Sequence, residues 1–325
     1  RVRAVTDDAD SLTRSKIRTQ PVSRFLADQS NHSCAKARIC GARWHPIKVF
    51  RFFVWISSRL GAESSSMKVV VCVKQIPDPA LPGELDPSTN YLKRDDKLIL
   101  DESDSYGVEM ALQLVEGAGG GEVSLVSMAP NNEVSGLRTA LAMGAEDAIL
   151  VSDNALAGSD ALGTARVLAA AISRLSPDLV LAGVESSDGY TGTVPEMIAG
   201  VLDIPSITFA KQIEIDGNTV KVQRQTEAGY DDVECQTPAL VSVTAGVVEP
   251  RYPSFKGIMA AKKKPVEELD LSALGLDESS VGQSGARQET VRVTEAEERQ
   301  AGEVIEDEGD AHEKIVEFLG ELKIV

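Results

Sequence analysis

Beyond residue 66 the chain has a single histidine, His312, and nowhere does it carry a GxxxxGK, GxSxG or HExxH pattern. A histidine-based triad in the body of the protein is therefore excluded. Cysteine is equally scarce: Cys34, Cys40, Cys72 and Cys235 form no CxxC pair, which argues against a disulfide framework and a thioredoxin-like motif. Cys72 lies in an apolar run and reads as a small buried hydrophobe rather than a nucleophile, and Cys235 is isolated. No apolar run is long enough to span a membrane; the nearest, 49–56, is short and broken by Arg51. Positive charge is outweighed, 33 Lys+Arg against 50 Asp+Glu, so at a net −17 a nucleic-acid backbone is a poor partner. Asp231-Asp232 adjoins a turn and reads as solvated. With no catalytic constellation, a binding or carrier role fits better than an enzyme.

Charge is unevenly spread. Residues 1–66 carry 12 Lys+Arg and 5 Asp+Glu, hence +7, which leaves −24 for the remainder. This segment has no sustained periodicity, holds both tryptophans, and marks a boundary. Its Arg and Ser content suits a transit peptide, although Asp7, Asp8 and Asp10 do not. His32, Cys34, Cys40 and His45 are a weak zinc candidate, because their spacing is no familiar finger. The favoured expectation is an upstream extension that does not fold, with Met67 as the native start.

From Lys68 the pattern is that of an α/β fold. The run 68–73 reads as a strand covered on both faces. A proline-rich connection to residue 100 follows, too proline-dense to be helical and long enough to suggest function. Asp101 to Asp104 supply a cap and negative charge for a helix with Val108, Ala111, Leu112 and Val115 inward. The glycines 117–121 follow a helix and precede a strand, the wrong order for a dinucleotide fingerprint. Strands at 122–128, 148–151 and 179–182 alternate with helices capped by Asn131 or Asn132 and by Ser159 or Asp160. Such alternation means βαβ units and a parallel sheet. Asp216-Gly217 signals a hairpin, Gly229 a second turn, and 239–244 another strand, so antiparallel additions extend the sheet.

The most informative stretch is 183–199. An apolar strand enters it, a loop rich in Gly, Ser, Thr and Asp crosses it, and a helix with Pro195 in its first turn leaves it. Strand end, free N–H groups and helix N-terminus together make an anion site, and a nucleotide phosphate is the first hypothesis. An ordinary loop whose glycines relieve steric strain is the other reading. If the first and fourth strands are neighbours, the loops 74–100 and 183–194 wall one crevice at the carboxyl ends of the strands, where such folds bind ligands. Phe255, between Pro253 and Gly257, suits either the core or an exposed partner anchor. Lys262–Lys264 reads as a solvated face. Residues 273–310 read as a flexible linker, and helical spacing returns at 312–322.

Several motifs in order resemble the β subunit of electron transfer flavoproteins: Arg138-Thr-Ala-Leu-Ala-Met-Gly-Ala145, Val222-Gln-Arg224 with Thr237-Pro-Ala-Leu-Val-Ser-Val-Thr244, and Glu249-Pro-Arg-Tyr252 with Ile258-Met-Ala-Ala-Lys-Lys-Lys264. The likeness runs from about residue 67 to the end and is weakest in the tail. It implies a doubly wound, mostly parallel sheet of the adenine-nucleotide α-hydrolase-like kind over 67–264, with an antiparallel hairpin extension. Residues 265–325 would be a linker and a C-terminal arm whose helix docks on an α subunit. It implies a non-enzymatic carrier of electrons. The α subunit would hold most of an FAD, acyl-CoA dehydrogenases and other flavoenzymes would donate electrons, and a membrane quinone reductase would accept them. No stable membrane insertion is implied. The chain would sit in the bacterial cytoplasm, or in the mitochondrial matrix if 1–66 is a transit peptide.

By matched position the resemblance also implies a structural AMP bound by Cys72, Asp101, Asp104, Met128, Asp188, Gly189, Tyr190, Thr191, Gly192, Thr193 and Val194. Phe255, with Ile258 and Met259, falls where the family meets partner proteins. There are departures. Asp101-Glu102-Ser103-Asp104 replaces an Asn-Pro, Val194-Pro195 replaces a Thr-Gly or Val-Gly, and Ala228 stands at a position more often acidic or glycine. Carboxylates repel phosphate, so Asp101 and Asp104 are expected to face the adenosine or cap the helix. Two alternatives stand beside this reading. One is an electron-bifurcating or nitrogen-fixation-type relative with FAD in the β pocket. The other is a stand-alone adenine-nucleotide sensor.

Overall fold

The computed structural model describes residues 66–94, 97–294 and 309–324. The expectations for 1–65, including the zinc candidates and the unfolded extension, lie outside the described residues. Two units are distinguished, and the larger, described from Ser66 to Glu289, holds the sheet.

Nine strands form that sheet, in the order β11-β5-β4-β1-β6-β10-β7-β8-β9. They are β1 Met67–Cys72, β4 Gly121–Met128, β5 Asp147–Val151, β6 Leu179–Gly183, β7 Ser206–Asp216, β8 Thr219–Thr226, β9 Gly229–Gln236, β10 Ala239–Val243 and β11 Val266–Leu269. Two short strands, β2 Gln75–Ile76 and β3 Ile99–Leu100, pair antiparallel within the long connection. The strands from β11 to β7 are parallel neighbours, and β7-β8-β9 is an antiparallel ribbon. The ribbon is the expected extension. The strand at 239–243, however, is not an addition at its edge: β10 lies between β6 and β7, parallel to both. All five of its residues are buried, which explains its unbroken apolar run.

Helices cover both faces. α1 (Glu102–Gly117) and α2 (Ser135–Met143) bury Val108, Ala111, Leu112, Val115, Leu137 and Leu141 on one side. α3 (Ala161–Leu175) and α4 (Val194–Leu202) bury Leu168, Ile172, Ile198 and Ala199 on the other. This double winding places the reversal of strand order between β1 and β6, which are direct neighbours with Val69 opposite Leu179.

Asp160 caps α3 as expected, taking the Gly163 N–H at 2.7 Å. Asn131 and Asn132 do not cap α2. Both sit at positive φ in a preceding 3-10 turn, and the cap comes from Gln75, whose Oε1 accepts from Gly136 N at 2.9 Å and Leu137 N at 3.2 Å. Lys262–Lys264 is not uniformly solvated either: Lys264 Nζ donates to the carbonyls of Leu141, Gly144 and Ala145 at the other end of α2.

The expected linker is corrected over 265–289. β11 extends the sheet beside β5, and α6 (Leu271–Leu274) and α7 (Gly282–Gly285) follow. Leu269, Leu271 and Val281 are buried in the core on the α3 side. Gly282 N–H donates to Ser159 Oγ at 3.0 Å, and Arg287 N–H to Asp160 Oδ2 at 2.6 Å. Low average hydropathy concealed these few apolar anchors. In the second unit a helix, α8, runs Ala311–Glu321, with Ile315, Val316 and Phe318 exposed.

Candidate functional site

At the carboxyl ends of β1 and β6 the segments 74–94 and 183–194 come together through Lys74, Arg94 and Asp188 and form the walls of the candidate site. Asp101 ties its walls together. It is fully buried and caps α1, its Oδ1 accepting from Ser103 N at 3.1 Å and Ser103 Oγ at 2.9 Å. Its Oδ2 reaches across to Ser187, accepting from N at 2.7 Å and Oγ at 3.0 Å. Ser103 Oγ also lies 3.2 Å from the Glu185 carbonyl. The first turn of α1 and the loop after β6 are thus one hydrogen-bonded unit.

Asp104 forms the floor. Its Oδ2 accepts the Lys74 N–H at 2.6 Å, and Gly183 N–H also bonds to the carboxyl. Burial, against those bonds and with Asp101 nearby, pushes the Asp104 carboxyl up to about 8, so it is mostly protonated at neutral pH. Gly183 is required by close approach, because a Cβ there would stand 2.9 Å from Asp104 Oδ1 and 3.3 Å from Ser103 Oγ. Cys72 ends β1 beneath this floor. Burial, with Asp104 beside it, pushes its thiol up to about 12, which leaves it a packing residue and no nucleophile.

A clasp closes the mouth. Asp188 is 6% exposed and pairs with Lys74 Nζ at 2.6 Å and with the Arg94 guanidinium. Lys74 Nζ also donates to Ser186 Oγ at 3.0 Å. Burial opposes ionisation of Asp188, but the two cations outweigh it and hold the carboxyl down at about 2. The clasp carries one negative and two positive charges, so it favours an anion in the crevice.

Beyond the clasp, Tyr190 and Gly192 take left-handed φ values of +50° and +60°. Thr193 stands at the N-cap position before α4, and no side chain caps that helix. Its first N–H groups therefore present the partial positive charge of an open helix terminus.

The structure brings Cys72, Asp101, Asp104 and the loop 188–194 to one end of the sheet, with half-buried Met128 ending β4, the strand next to β1. The carboxylates of Asp101, Asp104 and Asp188 are engaged within the chain, so they build the crevice walls rather than offer free ligands. Lys74 and Arg94 were missed by sequence reasoning, whereas Ser103 and Ser187 fell inside the stretches it marked, 101–104 and 183–199, with no role of their own. Lys74, a lone charge directly after an apolar strand, was the available signal; Arg94 lies in irregular chain and gave none. Phe255, Ile258 and Met259 lie elsewhere, on α5 (Phe255–Ala261), whose Ala261 joins the core on the α1 side. Phe255 is 80% exposed and Tyr252 beside it 93%, which settles the choice between core and surface for Phe255. Among the described residues no helix is long and apolar enough to cross a membrane.

Residues 89–274 match the family model described as the electron transfer flavoprotein domain. The chain is 37% identical over 263 residues to electron transfer flavoprotein subunit beta of Mycobacterium tuberculosis, covering 79% of this chain and 99% of the relative. It is 36% identical over 263 residues to the protein of that name in Megasphaera elsdenii, covering 78% and 97%. It is also 35% identical over 241 residues to the caffeyl-CoA reductase-Etf complex subunit CarD of Acetobacterium woodii, covering 74% and 92%.

Proposed function

The chain belongs to the family of electron transfer flavoprotein β subunits, and we propose that it is one half of a heterodimeric carrier whose FAD is held mainly by an α subunit. The FAD would supply the redox chemistry when bound, and the heterodimer would carry electrons from acyl-CoA dehydrogenases and related flavoenzymes to a membrane quinone reductase. The site of action is the bacterial cytoplasm. This chain's own crevice holds an AMP with a structural role. One observation supports that reading above the others: the uncapped N-terminus of α4 directly follows a loop pinned by Asp101 and clasped by Asp188. Thr193 and Val194 would meet the phosphate. Cys72, Met128 and the α1 turn would line the adenosine side. Phe255, Ile258 and Met259 would meet the electron donor, and the tail helix α8 would dock on the α subunit.

Flavin and nucleotide analysis of the purified heterodimer tests this. One FAD and one AMP per pair are expected, with the isolated chain colourless; a pair without flavin would sink the reading. Gly192→Val should lose AMP, since φ +60° disfavours a branched side chain, and retained AMP would count against the cradle. The likeness to CarD supports a second reading, in which the β crevice takes a second FAD. Two FAD and no AMP per heterodimer would select it.

A further inference from the structure

A second exposed apolar surface lies on the sheet face opposite α5, around α4. Here β7 carries a bulge: between the pairs Val241–Ile207 and Val243–Ala210, both Thr208 and Phe209 stand against Ser242 alone. Bulges re-aim side chains. Phe209 N–H donates to Ser242 Oγ at 3.2 Å, its φ is +54°, and the residue is 45% exposed. A bulky residue held at such a φ is strained, and the bulge imposes that strain while leaving the residue exposed.

Beside this residue runs a groove of about 490 Å³, lined by Gly192, Thr193, Glu196, Met197, Thr208 and Phe209. Val201, one turn beyond Met197 on α4, is also exposed and extends the apolar strip. Glu196 is the one charge in the lining. Its Oε1 lies 3.5 Å from Ser242 Oγ, while its Oε2 is shielded from water and has no hydrogen-bond partner. A shielded carboxylate oxygen without a donor is costly.

We propose that this groove is where the α subunit docks, an arginine or lysine of that subunit completing Glu196 and an apolar ridge covering Phe209, Met197 and Val201. The proposal rests on the reading of this chain as half of a heterodimer. Charge complementarity carries it: an unpaired anion in an otherwise apolar, open groove matches a cation set in an apolar patch. Position favours a permanent partner, because the α5 surface on the other sheet face stays free for a transient one. Gly192 and Thr193 belong both to the groove rim and to the nucleotide loop, so a nucleotide that orders the loop also shapes the docking surface. Nucleotide binding is thereby coupled to assembly.

The test measures the heterodimer dissociation constant for the full chain with its α subunit. Glu196→Gln should raise it about tenfold and Phe209→Asp about a hundredfold or more, as for central interface anchors. A measurement on the wild type is independent of variant folding: amides within 196–201 and 207–209 should exchange hydrogen more slowly in the heterodimer than in the isolated chain. A wild-type complex with unchanged exchange there, or variants that bind like wild type, would overturn the groove. No wild-type complex at all would instead remove the heterodimer reading, and the groove with it.

Discussion

Asp104 is a buried carboxyl that accepts the Lys74 backbone N–H. Its value rises from 3.8 to about 8, chiefly through burial. Below 3.8 folded and unfolded chains both hold the proton, and the contribution to stability is complete. Between 3.8 and about 8 only the folded chain holds it, so stability falls as pH rises, by at most about 1.4 kcal/mol per pH unit. Asp104→Asn keeps an acceptor for the Lys74 N–H and removes the titration, so its melting temperature should decline less than that of the wild type from pH 5 to 8. Superimposable profiles would mean that Asp104 titrates as an ordinary carboxylate. Asp188 acts in a separate window: its contribution is present above 3.8 and lost as pH falls through about 2. The sequence marked both residues as belonging to the site. It gave no sign of which was neutral, since burial and partners come from tertiary contacts. Arg251 makes the same point. Its N–H, Nε and Nη2 bond to buried Glu109 and its Nη1 to Glu116, both on α1 and far away in the chain. Arg251→Met leaves Glu109 buried and unpaired, which should cost about 3 kcal/mol in urea unfolding. Adding Glu109→Gln should recover part of that loss, and no recovery would deny the pairing.

Among the elements, α2 was legible in its body and misread at its start. The spacing of Leu137 and Leu141 set its inward face correctly, because periodicity is local. Its caps are not local. Gln75, buried after β1, accepts at Oε1 from two N–H groups of the first turn and donates from Nε2 to the Glu133 carbonyl at 2.6 Å. Lys264 closes the other end on three carbonyls, and burial lowers its basicity without removing its hydrogen-bonding role. Asn131 and Asn132 attracted the cap assignment by residue type, but their left-handed backbone turns the chain before the helix begins. Gln75→Leu should therefore destabilise by about 1–3 kcal/mol, the cost of stranding buried donors and an acceptor. Asn132→Gly, which removes no cap and leaves a residue at ease at φ +52°, should stay within about 0.5 kcal/mol. Equal effects in urea denaturation would restore the sequence-based assignment.

At the scale of the molecule, the parallel core was legible because each strand is a short apolar run between capped helices. The far edge of the sheet was not. Val266-Glu-Glu-Leu269 is half charged, its two glutamates exposed as an edge strand permits, and 271–285 has only scattered apolar residues. Yet β11 pairs with β5 from Ala148 to Val151 and carries Leu269 into the core, while Leu271 and Val281 close over α3. The sheet thus runs on to Leu269, and the chain that packs over it to about 289, rather than stopping at 264. Two truncations of the chain separate these boundaries. A chain ending at Glu289 keeps every strand and should melt cooperatively, within a few degrees of the full chain. A chain ending at Lys264 loses β11, bares the backbone of β5 to pairing with other chains, and opens the apolar side of α3 to water. Losing the buried contacts of Leu269, Leu271 and Val281 forfeits on the order of 1.5–3 kcal/mol per side chain, a large share of the stability of a typical domain. That shorter chain should aggregate or melt far below the other. If both truncations melt alike, the strand contributes nothing to the fold, and the boundary belongs at 264 after all.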